Sequence, residues 1–368
     1  MQARDALKDP MLSYQVETFG KPLAQVLRDT PQPTGTEVLI KVGACGVCHS
    51  DVHLHDGYFA LGEGNKIDMA RAMNLPRTMG HEIAGSVVAL GPDAQGAKLG
   101  ARRIVFPWIG CGQCPVCASG EEQLCGSARA LGIQRDGGFA DHVLVPHPRY
   151  LLEYDPLPEE QACTYACSGL TAYGALKKVM APGKDGKAAP WGGADPLLII
   201  GAGGVGLSGI RLARKLLDAP ITVAEIDRSK WDIAREAGAN EVIDPSADGA
   251  AKALAKATGG GVAAAIDFVG AGASFAFGLG ALRRGGKLVC VGLFGGSAPV
   301  LPVMLAMKAL SISGSYVGSL QEMHELMAIA RSGTLPALPL TSLPLAKASL
   351  ALADLKAGRV RGRAILRP

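Results

Sequence analysis

Residues 197–216 read LLIIGAGGVGLSGIRLARKL. The apolar run Leu197 to Ile200 suits a strand buried on both faces, and the glycine turn behind it opens a stretch with apolar residues at helical spacing. The turn, Gly201-Ala-Gly203-Gly204-Val205-Gly206, fits G-x-G-x-x-G, which by itself is a weak signal. Here strand, turn and helix follow in the order that a dinucleotide fingerprint requires, and Glu225 ends the next apolar strand 19 positions after Gly206. Glycines at these positions let backbone N–H groups approach a pyrophosphate at a helix start, where the macrodipole favours anions. A carboxylate at Glu225 would accept a hydrogen bond from a ribose 2′-hydroxyl and repel a 2′-phosphate, so NAD is expected over NADP, with Arg228 and Lys230 offsetting part of that repulsion.

The same rhythm of strand, turn and helix continues through ITVAE, EVID, AAAIDFVG and KLVCVGL, which predicts a parallel, doubly wound α/β sheet. Upstream the style changes. Residues 11–47, 81–106 and 139–152 alternate extended apolar segments with turns and read as β-rich. A chain of 368 residues is long enough for two domains. The expected division is 168–315 for the nucleotide domain, inserted into a second domain made of 1–167 and 316–368, with surface insertions at 60–75 and 184–195.

Composition narrows the function classes. The formal charge is only +4 and no block of five or six like charges occurs, so no nucleic-acid partner is expected. The start, MQARDALKDP, lacks the apolar core of a signal peptide, and no stretch reads as a membrane span, which predicts a cytoplasmic protein without a membrane partner.

Four of the nine cysteines crowd into Cys111, Cys114, Cys117 and Cys125, with Gly110, Gly112 and Pro115 supplying turns between them. In a long chain with no export signal this crowding points to metal, and four thiolates close a tetrahedral zinc shell with no open position, a structural site. Cys290, in KLVCVGL, reads as a small apolar strand residue. Cys45 and Cys163 each have another cysteine, Cys48 and Cys167, a few residues downstream, and spacing alone does not separate their roles.

A further constellation comprises Cys48-His49-Ser50-Asp51-Val52-His53, Gly80-His81-Glu82 and Cys167-Ser168-Gly169-Leu170-Thr171. Together with the four-cysteine loop and the fingerprint, it resembles the zinc-containing medium-chain alcohol dehydrogenase family along essentially the whole chain. The run GHEIAGSVVALGPDA matches that family's signature G-H-E-x2-G-x5-G-x2-A at Gly80, Gly85, Gly91 and Ala94. The resemblance implies a GroES-like, β-rich catalytic domain plus a Rossmann domain, and an NAD-dependent enzyme with two zinc ions per chain.

By the same resemblance, Cys48, His81 and Cys167 hold a catalytic zinc, Glu82 stands as an alternative ligand, and Asp51 orients the zinc-bound histidine. Cys45 and Cys163 are then structural. Ser50 accepts the substrate's hydroxyl proton and His53 ends a relay to water. His49 and Arg363 contact the pyrophosphate, Thr171 the nicotinamide, and Glu225 and Lys230 the ribose. Trp108 and Phe294 line the substrate pocket, and Leu293 follows the strand that faces the nicotinamide.

The expected substrate is a medium-chain or aromatic primary or secondary alcohol, interconverted with its aldehyde or ketone, and the expected assembly is a homodimer or homotetramer. Two alternatives stand beside this reading. A polyol, threonine or formaldehyde dehydrogenase could use the same scaffold, although Cys167 stands where polyol members often place a carboxylate. A non-enzymatic zinc-stabilised binding protein would explain the four-cysteine loop but not the Cys48, His81, Cys167 set.

Overall fold

Leu197–Ile200 is the first of six parallel strands in a computed structural model of the chain, which describes residues 9–180 and 195–368. Across the sheet the strands run Glu241–Ile243, Ile221–Ala224, Leu197–Ile200, Val262–Asp267, Leu282–Cys290 and Ser311–Gly314. In chain order this is third, second, first, fourth, fifth, sixth, the doubly wound arrangement. Its inner strands are buried on both faces, as their unbroken apolar runs require. Leu198, Ile200, Ala265 and Leu288 pack there with Leu254 from a covering helix.

Helix Gly204–Leu216 follows the glycine turn directly, with Gly203 as its N-cap. Gly206 has no room for a side chain, because a Cβ there would lie 1.9 Å from the Gly201 carbonyl oxygen. A Cβ on Gly203 would meet nothing within 4 Å. One glycine therefore serves packing of the turn, and the other leaves open space in front of the helix start.

The described residues divide into two compact units, one from residues 9–58, 68–170 and 319–368, the other from residues 59–67, 171–180 and 195–318. The first is built on a β-sheet in which Val38–Val47 is central. That strand is buried almost throughout and pairs antiparallel with Glu82–Leu90 on one side and with Arg363–Arg367 on the other. Gly46 lies opposite Glu82 in one ladder and Ile365 in the other, so residues far apart in sequence meet around Gly46. Strand Arg363–Arg367 also pairs in parallel with Leu340–Pro344. No helix among the described residues is long and apolar enough to cross a membrane.

The insertion read at 60–75 contains a hairpin, Tyr58–Gly62 with Asn65–Asp68. Its residues 59–67 belong to the second unit, although the chain on either side belongs to the first. The Ser297 hydroxyl donates to Glu63 Oε1 at 2.9 Å, and Gly295 approaches Ala60 so closely that a Cβ there would lie 2.1 Å from its carbonyl oxygen. The 184–195 stretch, apart from Asp195, lies outside the described residues.

Candidate metal and cofactor sites

Cys48 caps helix His49–Asp56 from an extended backbone conformation, and its N–H donates to Asp51 Oδ2 at 2.8 Å. The Asp51 N–H donates in turn to the Cys48 carbonyl at 3.0 Å, and the Cys48 thiol and Asp51 carboxylate are both buried in the interior. Cys48, His81 and Cys167 come together there, fully buried, with their donor atoms within 4.8 Å of one another. The Cys48 and Cys167 sulfurs are 3.9 Å apart. That is far beyond a disulfide bond and near the ~3.8 Å edge of a tetrahedral zinc shell with Zn–S of about 2.3 Å.

His81 Nδ1 lies 3.1 Å from Asp51 Oδ1, with both side chains completely buried, although the contact falls outside hydrogen-bond geometry. His81 Nε2 is buried with no hydrogen-bond partner among the described residues. An orphaned imidazole nitrogen beside two thiols is the position a metal ion would satisfy, with Asp51 setting the tautomer from behind. Burial alone would push His81 down, but the Asp51 charge overrides it and holds the imidazole well above its ordinary value. Between the thiols, the hydrogen bond from Cys167 holds Cys48 well below the usual range, while the same bond and burial push Cys167 up.

Ser50 and His53 sit on the helix that Cys48 caps. The Ser50 hydroxyl oxygen is 3.7 Å from Cys48 Sγ. His53 is half-buried, with its ring 5.8 Å from that of exposed His49, and burial followed by the His49 charge moves it below 6.5. Trp108 is buried beside His81 at a ring separation of 5.2 Å, with its indole N–H donating to the Ala166 carbonyl at 2.9 Å.

Glu82 and Arg363 take positions that the sequence did not indicate. Glu82, read as an alternative ligand, accepts from Arg363 Nε at 2.8 Å on one oxygen, and from the Ser168 N–H at 2.9 Å and Arg363 Nη2 on the other. Arg363, read as a pyrophosphate contact that would otherwise be a surface charge, is only 4% exposed in this pair. Gly46 makes the room, since a Cβ there would lie 1.9 Å from Glu82 Oε2. Burial raises the Glu82 carboxyl and the Arg363 charge opposes that rise. Cys45 and Cys163 are fully buried outside the ligand cluster, with their thiols pushed up by burial.

Cys111, Cys114, Cys117 and Cys125 form the second cluster. Their sulfurs lie 3.9 Å (Cys111 to Cys117), 3.5 Å (Cys114 to Cys117) and 3.8 Å (Cys114 to Cys125) apart, again tetrahedral edges. Cys114 caps the short helix Pro115–Ala118 and accepts from the Cys117 N–H, while Cys125 accepts from the N–H groups of Cys111 and Ser127. Backbone N–H groups of Gln113 and Cys114 bring Cys111 down to about 6. Such donors favour thiolates, and four of them leave no open coordination position.

In the second unit Glu225 is 7% exposed, and its carboxylate ties the glycine turn to the end of the second strand. Oε2 accepts from the Ala202 N–H at 2.7 Å and Oε1 from the Asp227 N–H at 2.9 Å. Lys230 lies 3.4 Å from Asp227 rather than beside Glu225. Thr171 is buried near the start of helix Ser168–Met180. Leu293 and Phe294 are 45% and 61% exposed just beyond strand Leu282–Cys290, so they are not core residues of that sheet.

Two further groups escaped the sequence reading. Asp267, fully buried at the end of the fourth strand, accepts from the N–H groups of Val269 and Gly270 and from the Ser274 hydroxyl. Its signal was an acid closing an otherwise apolar strand, AAAIDFVG. The other is Trp231, whose indole N–H donates to the Glu225 carbonyl at 2.9 Å.

Residues 34–156 match the alcohol dehydrogenase GroES-like domain, and residues 204–332 match the zinc-binding dehydrogenase domain. The chain is 34% identical over 362 residues to an NAD-dependent alcohol dehydrogenase of Sulfurisphaera tokodaii, covering 97% of this chain and all of the relative. The chain belongs to the zinc-type alcohol dehydrogenase family.

Other relatives of this dehydrogenase include an alcohol dehydrogenase of Geobacillus stearothermophilus, 30% identical over 97% of this chain and 99% of the relative. An L-threonine 3-dehydrogenase of Pyrococcus horikoshii is 32% identical over 80% of this chain and 79% of the relative. Among solved structures, the alcohol dehydrogenase of Aeropyrum pernix superposes with a TM-score of 0.83 at 28% identity, covering 97% of this chain and all of that one. The dehydrogenase has two cysteine-containing sites compatible with two zinc ions per chain, and a nucleotide turn suited to NAD.

The two clusters share no residue and differ in openness, so their losses are expected to differ. Cys111→Ser should remove one zinc per chain and lower the melting temperature, whereas Cys48→Ser should remove the other zinc and abolish turnover with a smaller thermal effect. Elemental analysis with thermal melts checks this. Zinc content near two in Cys48→Ser, or near one in the parent after zinc-supplemented expression, contradicts it.

Proposed function

We propose that this dehydrogenase interconverts medium-chain or aromatic primary or secondary alcohols with their aldehydes or ketones, using NAD. The observation that carries the reading is the buried Cys48, His81 and Cys167 set, three donors where zinc takes four ligands, close to the Ser50 hydroxyl. Zinc held by these residues would acidify a hydroxyl, and NAD held at the glycine turn would accept hydride.

The chain's own residues supply the rest. Asp51 holds His81 with Nε2 towards the metal position. Ser50 accepts the hydroxyl proton and passes it on, and half-buried His53 delivers it to water. Trp108 presents an apolar wall next to His81, and its N–H is already satisfied by Ala166, so the indole is available for packing rather than for hydrogen bonding to substrate. His49 is the exposed side chain expected at the pyrophosphate, and Thr171 the side chain expected at the nicotinamide. Leu293 and Phe294 offer exposed apolar surface for cofactor ring and substrate, and Glu225 would accept from the ribose.

The protein acts on small molecules in the cytoplasm, a placement supported by nine cysteines of which none is in a disulfide. It assembles as a homodimer or homotetramer. Support comes from the sixth strand, Ser311–Gly314, which is the sheet edge, and from exposed Leu301, Val303 and Met307 on and beside helix Pro302–Lys308. Light scattering of the purified protein should give two or four chains, and a stable monomer contradicts this.

The relay has a pH signature. Burial holds His53 below its ordinary value, so the neutral base persists to lower pH than in a free imidazole and is lost as pH falls through that lowered value. Alcohol oxidation should therefore rise with pH in the acidic range and level off near neutrality. His53→Gln should remove that limb and slow turnover about tenfold, while Ser50→Ala should slow it about 100-fold with the melting temperature unchanged. Unaltered turnover in Ser50→Ala across several alcohols would sink the proton assignment.

The apolar lining has its own consequence. The specificity constant for hexanol or benzyl alcohol should exceed that for ethanol by at least about tenfold, since each extra buried methylene contributes roughly 0.8 kcal/mol. NADH absorbance over an alcohol panel checks this, and a preference for ethanol contradicts it.

A further inference from the structure

The turn after the second strand holds Glu225 at four points. Its N–H donates to the Ile243 carbonyl at 3.0 Å, and its carboxylate accepts from the Ala202 and Asp227 N–H groups. The fourth bond, from Trp231 Nε1 to the Glu225 carbonyl at 2.9 Å, is the one made by a side chain. The same indole carries two cations. The Arg228 guanidinium lies 5.6 Å and that of Arg235 5.7 Å from its ring centre, within cation–π range. Arg235 is also bonded to Asp232 at 2.9 Å, and Lys230 is drawn to Asp227. Each cation near Glu225 in sequence thus has a resting partner.

We propose that Trp231 is a positioning residue that sets the preference for NAD over NADP. It fixes the turn that carries the Glu225 carboxylate, and it keeps Arg228 on its ring rather than free to meet a 2′-phosphate. A 2′-phosphate brought to this turn would face a carboxylate already locked in place and cations already engaged. The inference rests on the reading of Glu225 as the ribose acid. It adds that the acid's identity is insufficient: discrimination depends on an aromatic residue six positions later.

A simple structural role would weaken both cofactors alike, whereas the proposed role changes their ratio. Dissociation constants for NAD and NADP, measured by calorimetry on the zinc-loaded protein, give that ratio without relying on turnover. The parent should favour NAD by about 10- to 100-fold, equivalent to roughly 1.4–2.8 kcal/mol. Trp231→Leu should move the ratio about tenfold towards NADP, because both the indole donor and the ring are lost. Trp231→Phe keeps a ring for the guanidinium groups and should move it only about threefold. Adding Arg228→Ala to Trp231→Leu should restore most of the discrimination, since it removes the cation released towards the phosphate.

An unchanged ratio in Trp231→Leu, or equal losses for both cofactors, overturns the proposal. Should Trp231→Leu fail to fold, as judged by circular dichroism and zinc content, an unchanged ratio in the folded Trp231→Phe does the same. Glu225→Ala separates the underlying reading: a ratio unchanged there refutes Glu225 as the ribose acid, whatever the Trp231 variants show.

Discussion

Cys48, Asp51, His81, Glu82, Cys167 and Arg363 are all buried in one part of the first unit, and charges taken out of water there must satisfy one another. The solution has two parts set side by side. Asp51 stands against His81, and Glu82 is held by Arg363 and the Ser168 N–H. His81 Nε2 has no hydrogen-bond partner among the described residues, and it lies beside two thiols that share a hydrogen bond, while His81 Nδ1 and Asp51 Oδ1 meet only through their charges. A divalent cation completes that arrangement, so the apolar interior that would otherwise oppose these groups instead favours metal binding. Removing one member of either pair leaves its partner as an uncompensated buried charge, which costs about 3–5 kcal/mol.

The sheet of the first unit makes this arrangement possible through one missing side chain. Gly46 lies between strands Glu82–Leu90 and Arg363–Arg367, and its bare backbone admits the Glu82 carboxylate. Fold and site are thus one problem at this point. The four-cysteine loop solves a different one. It has few buried apolar groups of its own, so metal ligation and N–H to sulfur hydrogen bonds replace a core in holding its shape.

The second unit works by backbone geometry more than by charge. Parallel strands end at one edge, the glycine turn leaves N–H groups and free space before helix Gly204–Leu216, and two acids brace the turns. Glu225 ties down the first turn and Asp267 the one after the fourth strand. Both accept backbone N–H groups that would otherwise be lost at a strand end. A carboxylate used in this way is rigid before any cofactor arrives, which reduces the ordering cost of binding.

The parts legible in the sequence are those whose determinants are local. The apolar run before Gly201, the spacing of Gly201, Gly203 and Gly206, the crowding of Cys111 to Cys125 and the motifs around Cys48, His81 and Cys167 each state their chemistry within a few residues. Local steric and ligand rules operate over that range. Only the tertiary structure decided what depended on distant partners. Glu82 and Arg363 are 281 residues apart, and their pairing needed the final strand to enter the sheet beside Gly46. The hairpin at 58–68 is close in sequence to the first unit's helix, yet residues 59–67 pack with the second through the glycines that follow its fifth strand. Even six residues were too many for Trp231, because which carbonyl an indole N–H reaches depends on how the chain turns between them. Residue type and spacing identify a candidate ligand, but the partner of a buried charge is chosen by the fold that removes water from around both.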